Sequence, residues 1–229
     1  MDKIKFNGLS ILFSLSVLFS ISAQANVRDG LYLGAGIGTV FDQFKLTTRN
    51  TINGFTIVSP VQNKKQISGN VFLGYGSTNI NKLYLGVEIG SDFPSRSSTI
   101  SGRPGVSVTA ATFTDKLRVQ DYVTLDILPG YRFNKNCLMY VRLGGTYAKL
   151  SLHQNPVGFI PAFDNEENKI GVRIGAGANF AFNSHFGVGI DYFYTRYPNL
   201  TSTYGAFNTQ FKQKTSNNYV GISTVYTFK

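Results

Sequence analysis

The end of the chain alternates two kinds of side chain with a period of two residues. Val220, Ile222 and Phe228 fall on one face of an extended chain. Gly221 and Ser223 fall on the other. A β-strand points successive side chains to opposite faces, and an aromatic residue at its end fits the boundary between water and lipid. The pattern therefore predicts a β-strand that crosses a membrane.

Segments with this period recur along the chain, each long enough to supply the ~9–11 residues that a tilted strand needs to cross an outer membrane. They cover residues 30–41, 67–77, 82–93, 117–133, 137–150, 169–182, 186–197 and 217–228. Short links near residues 77–81, 134–136 and 183–185 alternate with long links over residues 42–66, 94–116, 151–168 and 198–216. The sequence therefore predicts an all-β fold, an eight-stranded antiparallel transmembrane up-and-down β-barrel. Four long extracellular loops would lie at one end, and both termini at the periplasmic end.

The two faces of the predicted strands differ in chemistry. One carries large apolar residues such as Leu33, Ile89 and Ile190, and we expect it to contact lipid. The other carries glycine, tyrosine and a few charges, and we expect it to line a narrow interior. A soluble barrel with the apolar face inside is the alternative. Its water-facing surface would be mostly glycine, where solubility requires polar and charged side chains, so the membrane barrel is favoured.

Large aromatic residues mark the strand ends beside the short links. We predict a periplasmic aromatic girdle from these positions: Tyr75, Tyr131, Phe133, Phe180, Tyr226 and Phe228. Others fall at the opposite strand ends and are expected to form an outer girdle: Phe41, Phe93, Tyr147 and Tyr194. Such girdles at both interfaces are typical of membrane barrels. The alternative, that aromatic residues simply favour strands, explains their number better than their placement.

The first 25 residues have a different character. Lys3 and Lys5 precede an apolar run over residues 9–21, and small residues lead to Ala25. This pattern predicts a secretory signal peptide over residues 1–25, cleaved after Ala25, followed by a barrel domain over residues 26–229. An uncleaved anchor helix is the alternative, but the apolar run is shorter than the ~20 residues that span a bilayer.

Three stretches of the predicted strands carry a specific resemblance. They read Gly-Leu-Tyr-Leu-Gly-Ala-Gly-Ile-Gly over residues 30–38, Met-Tyr-Val-Arg-Leu-Gly-Gly-Thr-Tyr over residues 139–147, and Gly-Ala-Gly-Ala-Asn-Phe with Phe-Gly-Val-Gly-Ile-Asp-Tyr over residues 175–180 and 186–192. The chain resembles the outer-membrane β-barrel superfamily, which includes opacity-type surface proteins and the membrane domain of OmpA-like proteins. The resemblance lies in the strands and is absent from the long links. It implies a location in the outer membrane of a Gram-negative bacterium.

Several charged residues fall on the predicted interior face. They are Glu88, Asp126, Arg142, Arg173 and Asp191. An isolated charge inside a closed barrel loses several kcal/mol of hydration, so we expect a mutually paired network near mid-height. The network could act as a gate in a narrow pore or as a plug. Eight strands enclose only enough space for side chains, which favours the plug.

Basic residues are spread over the predicted loops, and the chain has a formal net charge of +10. A basic rim is attracted to phosphorylated lipopolysaccharide at short range. The expected partners are therefore outer-membrane lipid and lipopolysaccharide, with a host-cell surface ligand as a second candidate and simple solvation as the alternative. Nucleic acid is a poor candidate because the charge does not form one stripe.

Candidate catalytic residues are few. His153 follows Ser151 by two positions, so both point to the same side, and lipid-A-modifying barrels place a Ser/His pair near that level. A third orienting group is not identifiable, and His185 falls in a predicted turn. We expect no enzymatic activity, no cofactor and no metal site. The favoured function is a structural, adhesion or host-contact surface protein, with a small passive pore and a lipid-A-modifying enzyme as alternatives.

Overall fold

The computed structural model describes residues 27–50, 52, 54, 56–58, 61–101, 114–154, 163–204 and 209–228. Their strands are β1 (Gly30–Asn50), β2 (Thr56–Val58), β3 (Gln62–Thr78), β4 (Leu83–Phe93), β5 (Arg96–Ser101), β6 (Thr114–Asn134), β7 (Cys137–Gln154), β8 (Phe163–Ala181), β9 (Phe186–Arg196), β10 (Leu200–Tyr204) and β11 (Thr209–Thr227). Helices with the length and apolar character to cross a membrane do not occur in these ranges. The predicted signal peptide over residues 1–25 lies outside them.

The sheet closes on itself because β1 pairs with both β3 and β11. The ring runs β1, β3, β4, β6, β7, β8, β9, β11 and back to β1, and each of these pairings is antiparallel. The short strands β2, β5 and β10 pair with β1, β6 and β11 and extend the sheet at one end. The predicted eight-stranded antiparallel barrel is confirmed.

The apolar side chains of the strand centres point outward. Ile37 is 57% exposed and Ile190 is 62% exposed. Tyr32 and Tyr140, in contrast, point inward and are buried. Glycine makes room for such rings: a Cβ added to Gly74 would lie 2.4 Å from the Tyr32 ring. The narrow interior is therefore filled by a few large side chains set against glycine.

Each short link is closed by an asparagine side chain. Asn134 Oδ1 accepts hydrogen bonds of 2.8 Å from the amides two and three residues later. Asn183 makes the same pair of contacts, and Asn79 accepts from the amides two and four residues later. Asparagine favours turns because its side chain can satisfy the backbone in this way.

The strands continue past the limits that the alternation predicts. β1 ends at Asn50 instead of residue 41, β8 begins at Phe163 instead of residue 169, and β11 begins at Thr209 instead of residue 217. The prediction of long loops over residues 42–66, 94–116, 151–168 and 198–216 is therefore wrong in extent. Most of their described residues lie in paired hairpin strands.

An apolar core inside the extended part of the barrel explains this difference. Its side chains are buried: Phe44, Leu46, Leu117, Val119, Ala148, Leu150, Leu152, Tyr197 and Leu200. Burying such side chains stabilises by ~25 cal/mol per Å² of apolar surface, and strand pairing satisfies the backbone groups. The inward positions keep the period of two, but their chemistry changes from glycine and charge to large apolar residues. Strand limits predicted from a glycine-rich and charged inward face therefore end where the inward residues become apolar.

Candidate functional site

Arg142 is the centre of the interior charge network. It projects from β7 toward carboxylates on β4, β6 and β9. Its nearest N–O distances are 2.7 Å to Glu88, 2.6 Å to Asp126 and 3.3 Å to Asp191. All four side chains are buried. Because a guanidinium group carries five N–H donors in a planar fork, this one side chain ties four strands together across the lumen.

Arg173 continues the network from β8 toward the outer end. Its guanidinium lies 3.6 Å from Asp126 Oδ2 and 3.3 Å from Asp92 Oδ2. The face of the group stacks on Phe193, with 3.5 Å between the guanidinium carbon and the ring centre. The structure thus brings the five charges named from the sequence into one connected set and adds Asp92.

Arg28 also belongs to this set and was not anticipated. It precedes β1 and enters the barrel from the end that carries the short links, and its guanidinium forms an ion pair with Glu88. The same group lies 4.9 Å from the centre of the Tyr140 ring. Its backbone N–H donates to Thr227 Oγ1 at 2.9 Å, and Arg132 donates to the carbonyl just before it. Because Arg28 lies ahead of the first alternating segment, no periodic signal marks it.

Hydroxyl groups complete the contacts of the buried carboxylates. Tyr140 donates to Asp191 at 2.7 Å, and Ser223 donates to its other oxygen at 3.1 Å. Tyr32 donates to Glu88 at 3.0 Å. The cavity left beside Arg142 has a volume of about 20 Å³, which is room for about one water molecule. The barrel is therefore filled at mid-height.

A second charged cluster closes the barrel nearer its outer end. Arg96 on β5 lies 3.1 Å from Asp42 and 2.7 Å from Asp121. Tyr197 donates to Asp121 at 2.6 Å and accepts from Arg96 at 3.0 Å. A β-bulge in β6 immediately after Asp121 changes the phase of that strand and keeps this carboxylate inward. The cluster was missed because Asp42 and Arg96 fall in segments predicted as loops.

The aromatic residues named from the sequence lie on the outer surface beside the short links. Tyr131 contacts Phe133, and Tyr226 contacts Phe228, with 5.1 Å between ring centres in each edge-to-face pair. Phe180 is exposed and Tyr75 is half-buried. Phe93 and Tyr194 lie at the opposite ends of β4 and β9, whereas Phe41 and Tyr147 lie within β1 and β7, nine and seven residues before those strands end. That the first group forms a girdle at the periplasmic membrane surface stays a prediction.

The acidic residues of the third predicted loop lie on β8 and pair with lysines. Lys149 lies 2.5 Å from Glu166, and Lys169 lies 2.5 Å from Glu167. The hydrogen bond from Lys149 lowers the pKa of the Glu166 carboxyl, and Lys169 lowers the pKa of the Glu167 carboxyl in the same way. The charges therefore offset each other in both pairs. Lys149 and Glu166 lie on the outward face, whereas Glu167 and Lys169 lie opposite the inward-facing Leu150 and Ala148.

Ser151 and His153 both lie on the outer surface of β7. Ser151 donates to Glu166 at 3.1 Å, and His153 contacts Asp164. Among the described contacts, none joins Ser151 to His153. His185 lies in the last short link, where its ring stacks on Tyr226. Groups of three or more His, Cys, Asp or Glu side chains that could hold a metal do not occur in the described part of the chain.

Solved structures of several bacterial proteins are similar to this chain. The Ail protein of Yersinia pestis, solved with the heparin analogue sucrose octasulfate, is 13% identical, covers 86% of this chain and 99% of its own, and gives a TM-score of 0.43. Neisserial surface protein A is 13% identical over 87% of this chain and 98% of its own, with a TM-score of 0.46. The protease OmpT of Escherichia coli is 11% identical over 92% and 100%, with a TM-score of 0.49.

Sequence comparison gives the family. No curated protein matches the chain. The model of the outer membrane protein beta-barrel domain matches residues 11–228, which include all strands of the barrel. The chain therefore belongs to the outer membrane protein beta-barrel domain family, as the strand patterns predicted.

Proposed function

We propose that this outer-membrane barrel is a non-conducting, non-enzymatic scaffold that presents its extended hairpins to host-cell surfaces. Export by a signal peptide cleaved after Ala25 is part of the proposal. The observation that carries it is the contrast between the part of the barrel that crosses the membrane and the part that extends beyond it. The membrane part is filled by paired charges, whereas the strands at the outer end continue well beyond the aromatic positions.

The filled interior supports a scaffold over a pore. Arg142 and Arg173 bridge the lumen at mid-height, and Arg96 bridges it again nearer the outer end. Between them, the space beside Arg142 is about 20 Å³. A hydrated ion needs a continuous water-filled path, so conduction would require both clusters to separate.

The extended hairpins supply the contact surface. From Phe41 to Asn50, β1 continues for nine residues, which at ~3.3 Å per residue and a strand tilt of ~40° projects it about 20 Å above the outer aromatic level. The apolar core between the extended strands, with Phe44 and Leu150 buried, holds these hairpins rigid. Recognition surfaces are commonly mounted on rigid scaffolds of this kind.

The separate partners of Ser151 and His153 support a non-enzymatic function. A serine nucleophile requires a base within about 2.6–3.2 Å of its hydroxyl. Here Ser151 donates to Glu166 instead, and His153 contacts Asp164. Both side chains lie on the outside of a hairpin and not in a cleft, so a lipid substrate would find no enclosed site there.

Charge supports two partners for the outer part of the barrel. Basic residues lie on its outward surface; Arg196 and Lys214 are exposed, and Lys45 is half-buried. We propose that cations next to the outer aromatic level contact lipopolysaccharide. The hairpins farther out would then contact the host surface.

Cell attachment and conductance together test the proposal. The full chain is expressed in a non-adhering Gram-negative host, and attachment to cultured epithelial cells is compared with that of the empty host. Four variants each shorten one outer hairpin to a tight turn, and heat-modifiable electrophoretic mobility verifies that each barrel folds. Purified protein is reconstituted in planar bilayers in parallel.

We expect attachment by the wild type, its loss in at least one shortened variant, and no discrete current steps. Conductance without attachment would overturn the proposal in favour of a passive pore. Attachment that survives all four shortenings would also overturn it, because the contact would then lie outside the hairpins. An altered lipid A mass profile in the expressing host would overturn the non-enzymatic part.

A further inference from the structure

A groove lies on the outer surface where β1, β9 and β11 meet. Its volume is about 220 Å³. The outward-facing side chains along it are Gln43, Lys45, Tyr194, Arg196, Lys214 and Ser216. The described lining residues include no carboxylate, so the groove is an open pocket with three cations and hydrogen-bond donors.

The cations are held close together by strand register. Lys45 on β1 lies directly opposite Lys214 on β11. Arg196 on β9 lies opposite Ser216, which follows Lys214 by two residues on β11. Directly opposed like charges destabilise an antiparallel pair. The fold therefore maintains a repulsive arrangement at this point.

Nothing in the described chain neutralises this cluster. Lys45, Arg196 and Lys214 form no ion pair with any residue that the structure describes. On β7 and β8, in contrast, half-buried Lys149 and Lys169 each lie 2.5 Å from a glutamate. The difference indicates that the groove is shaped for an external anion.

The height of the groove selects the kind of anion. Phe41 and Tyr194 mark the outer aromatic level, where the hydrocarbon of a membrane ends. On the same outward faces, Arg196 follows Tyr194 by two residues and Lys45 follows Phe41 by four, so both cations lie further out. A group bound there lies among the headgroups of the outer leaflet. Phosphate oxygens accept the charge-assisted hydrogen bonds that lysine and arginine donate.

We propose that this groove binds a phosphate group on the headgroup of lipopolysaccharide. The inference rests on the proposed function for the contact between the outer rim and lipopolysaccharide, and it assigns that contact to one site. The bound phosphate would lie between Lys45 and Lys214 and remove their repulsion, while Arg196 donates from β9. Gln43 and Ser216 supply neutral donors along the groove.

Lipid binding to the purified, folded barrel in detergent tests the assignment. The probes are bisphosphorylated lipid A, the same lipid A after removal of its phosphates, inorganic phosphate and heparin. The test variant carries Lys45→Gln, Arg196→Gln and Lys214→Gln. The matched control carries Arg118→Gln, Lys149→Gln and Lys169→Gln, which removes the same number of charges from β6, β7 and β8.

We expect the wild type and the control to bind bisphosphorylated lipid A at least about tenfold more tightly than the dephosphorylated lipid, since each basic residue near an anionic surface contributes ~1 kcal/mol. The test variant should lose this preference. Equal affinity for the two lipids in the wild type would overturn the proposal, as would an equal loss in the control. Competition by inorganic phosphate without lipid preference, or selective loss of heparin binding, would assign the groove to a soluble anion instead.

A second readout does not depend on ligand affinity. Without lipid A, Lys45→Gln should raise the melting temperature, because it removes one of two opposed like charges. With bisphosphorylated lipid A, the same substitution should lower it relative to the wild type. A change of one sign under both conditions would contradict a phosphate site. Because these assays use purified protein and lipid, their failure is separate from any failure of cell attachment.

Discussion

Replacing Arg142 by alanine is the sharpest perturbation of the filled interior. The guanidinium lies within 2.6–3.3 Å of three buried carboxylates. Without it, Glu88 keeps the ion pair with Arg28, and Asp126 keeps Arg173 at 3.6 Å. Asp191 would retain only hydroxyl donors among its described contacts.

The expected cost follows from this loss of cations. Removing one partner of a buried ion pair costs about 3–5 kcal/mol, because the other charge remains buried and unpaired. Arg142→Ala should therefore lower the free energy of unfolding by about that amount. In the Arg142→Ala background, Asp191→Asn should recover part of the loss, with a coupling of about 0.5–3 kcal/mol. The second substitution removes the carboxylate that the first leaves uncompensated.

Guanidinium-induced unfolding in lipid vesicles measures these free energies. Arg118→Ala is the matched control, since Arg118 is exposed and its guanidinium bonds to the Ser95 hydroxyl at 3.1 and 2.7 Å. Its effect should stay within about 0.5 kcal/mol. A loss below about 1 kcal/mol for Arg142→Ala would refute the view that the network holds the barrel together. Unchanged melting with large single-channel currents in the wild type would favour a gate.

Three further predictions concern other parts of the barrel. Leu150→Ala in the outer apolar core should lower the free energy of unfolding by about 2–5 kcal/mol in the same assay; a loss under 1 kcal/mol would contradict a packed core there. Gly144→Ala should cost about 1–3 kcal/mol, because its Cβ would lie 2.2 Å from a backbone carbonyl oxygen, whereas Gly145→Ala, whose Cβ meets its nearest backbone oxygen at 3.2 Å, should cost less. Titration of labelled Glu166 by NMR should give a pKa below the usual glutamate value, and Lys149→Gln should raise it. The lowered pKa means that the pair contributes at neutral pH and is lost as the pH falls through that pKa; an unchanged value in the variant would contradict the contact.

The strands that cross the membrane were predictable because lipid imposes a simple demand. Residues facing hydrocarbon must be apolar, so Leu33, Ile37 and Ile190 repeat with the period of the strand. Above the aromatic level this demand ends. Phe44 and Leu150 keep the inward phase, but they were not recognised as core because the expected interior was glycine and charge. The extended strands are identifiable from a two-residue period that continues while the inward residues change from glycine and charge to large apolar side chains.

Some charged residues of the two clusters were identifiable from the sequence, and others were not. Glu88, Asp126 and Arg142 were identifiable because they interrupt an alternating strand on its inward face. Arg28 and Arg96 were not, since one precedes the first strand and the other follows β4 in a segment without clear alternation. Their roles depend on chain closure, which brings together residues distant in sequence. Local patterns do not report such contacts.

Solvent accessibility along the outward face of β7 tests the central claim that the barrel continues beyond the membrane as paired strands. Spin labels are attached one at a time at Leu143, Tyr147, Lys149 and Ser151, after Cys137→Ser, in protein reconstituted in vesicles. The account predicts that oxygen, which concentrates in lipid, relaxes the labels up to Tyr147, and that a water-soluble nickel reagent does so from Lys149 onward. The outermost labels should stay as immobile as those in the membrane. Lipid exposure through Ser151, or free label motion beyond Tyr147, would contradict it.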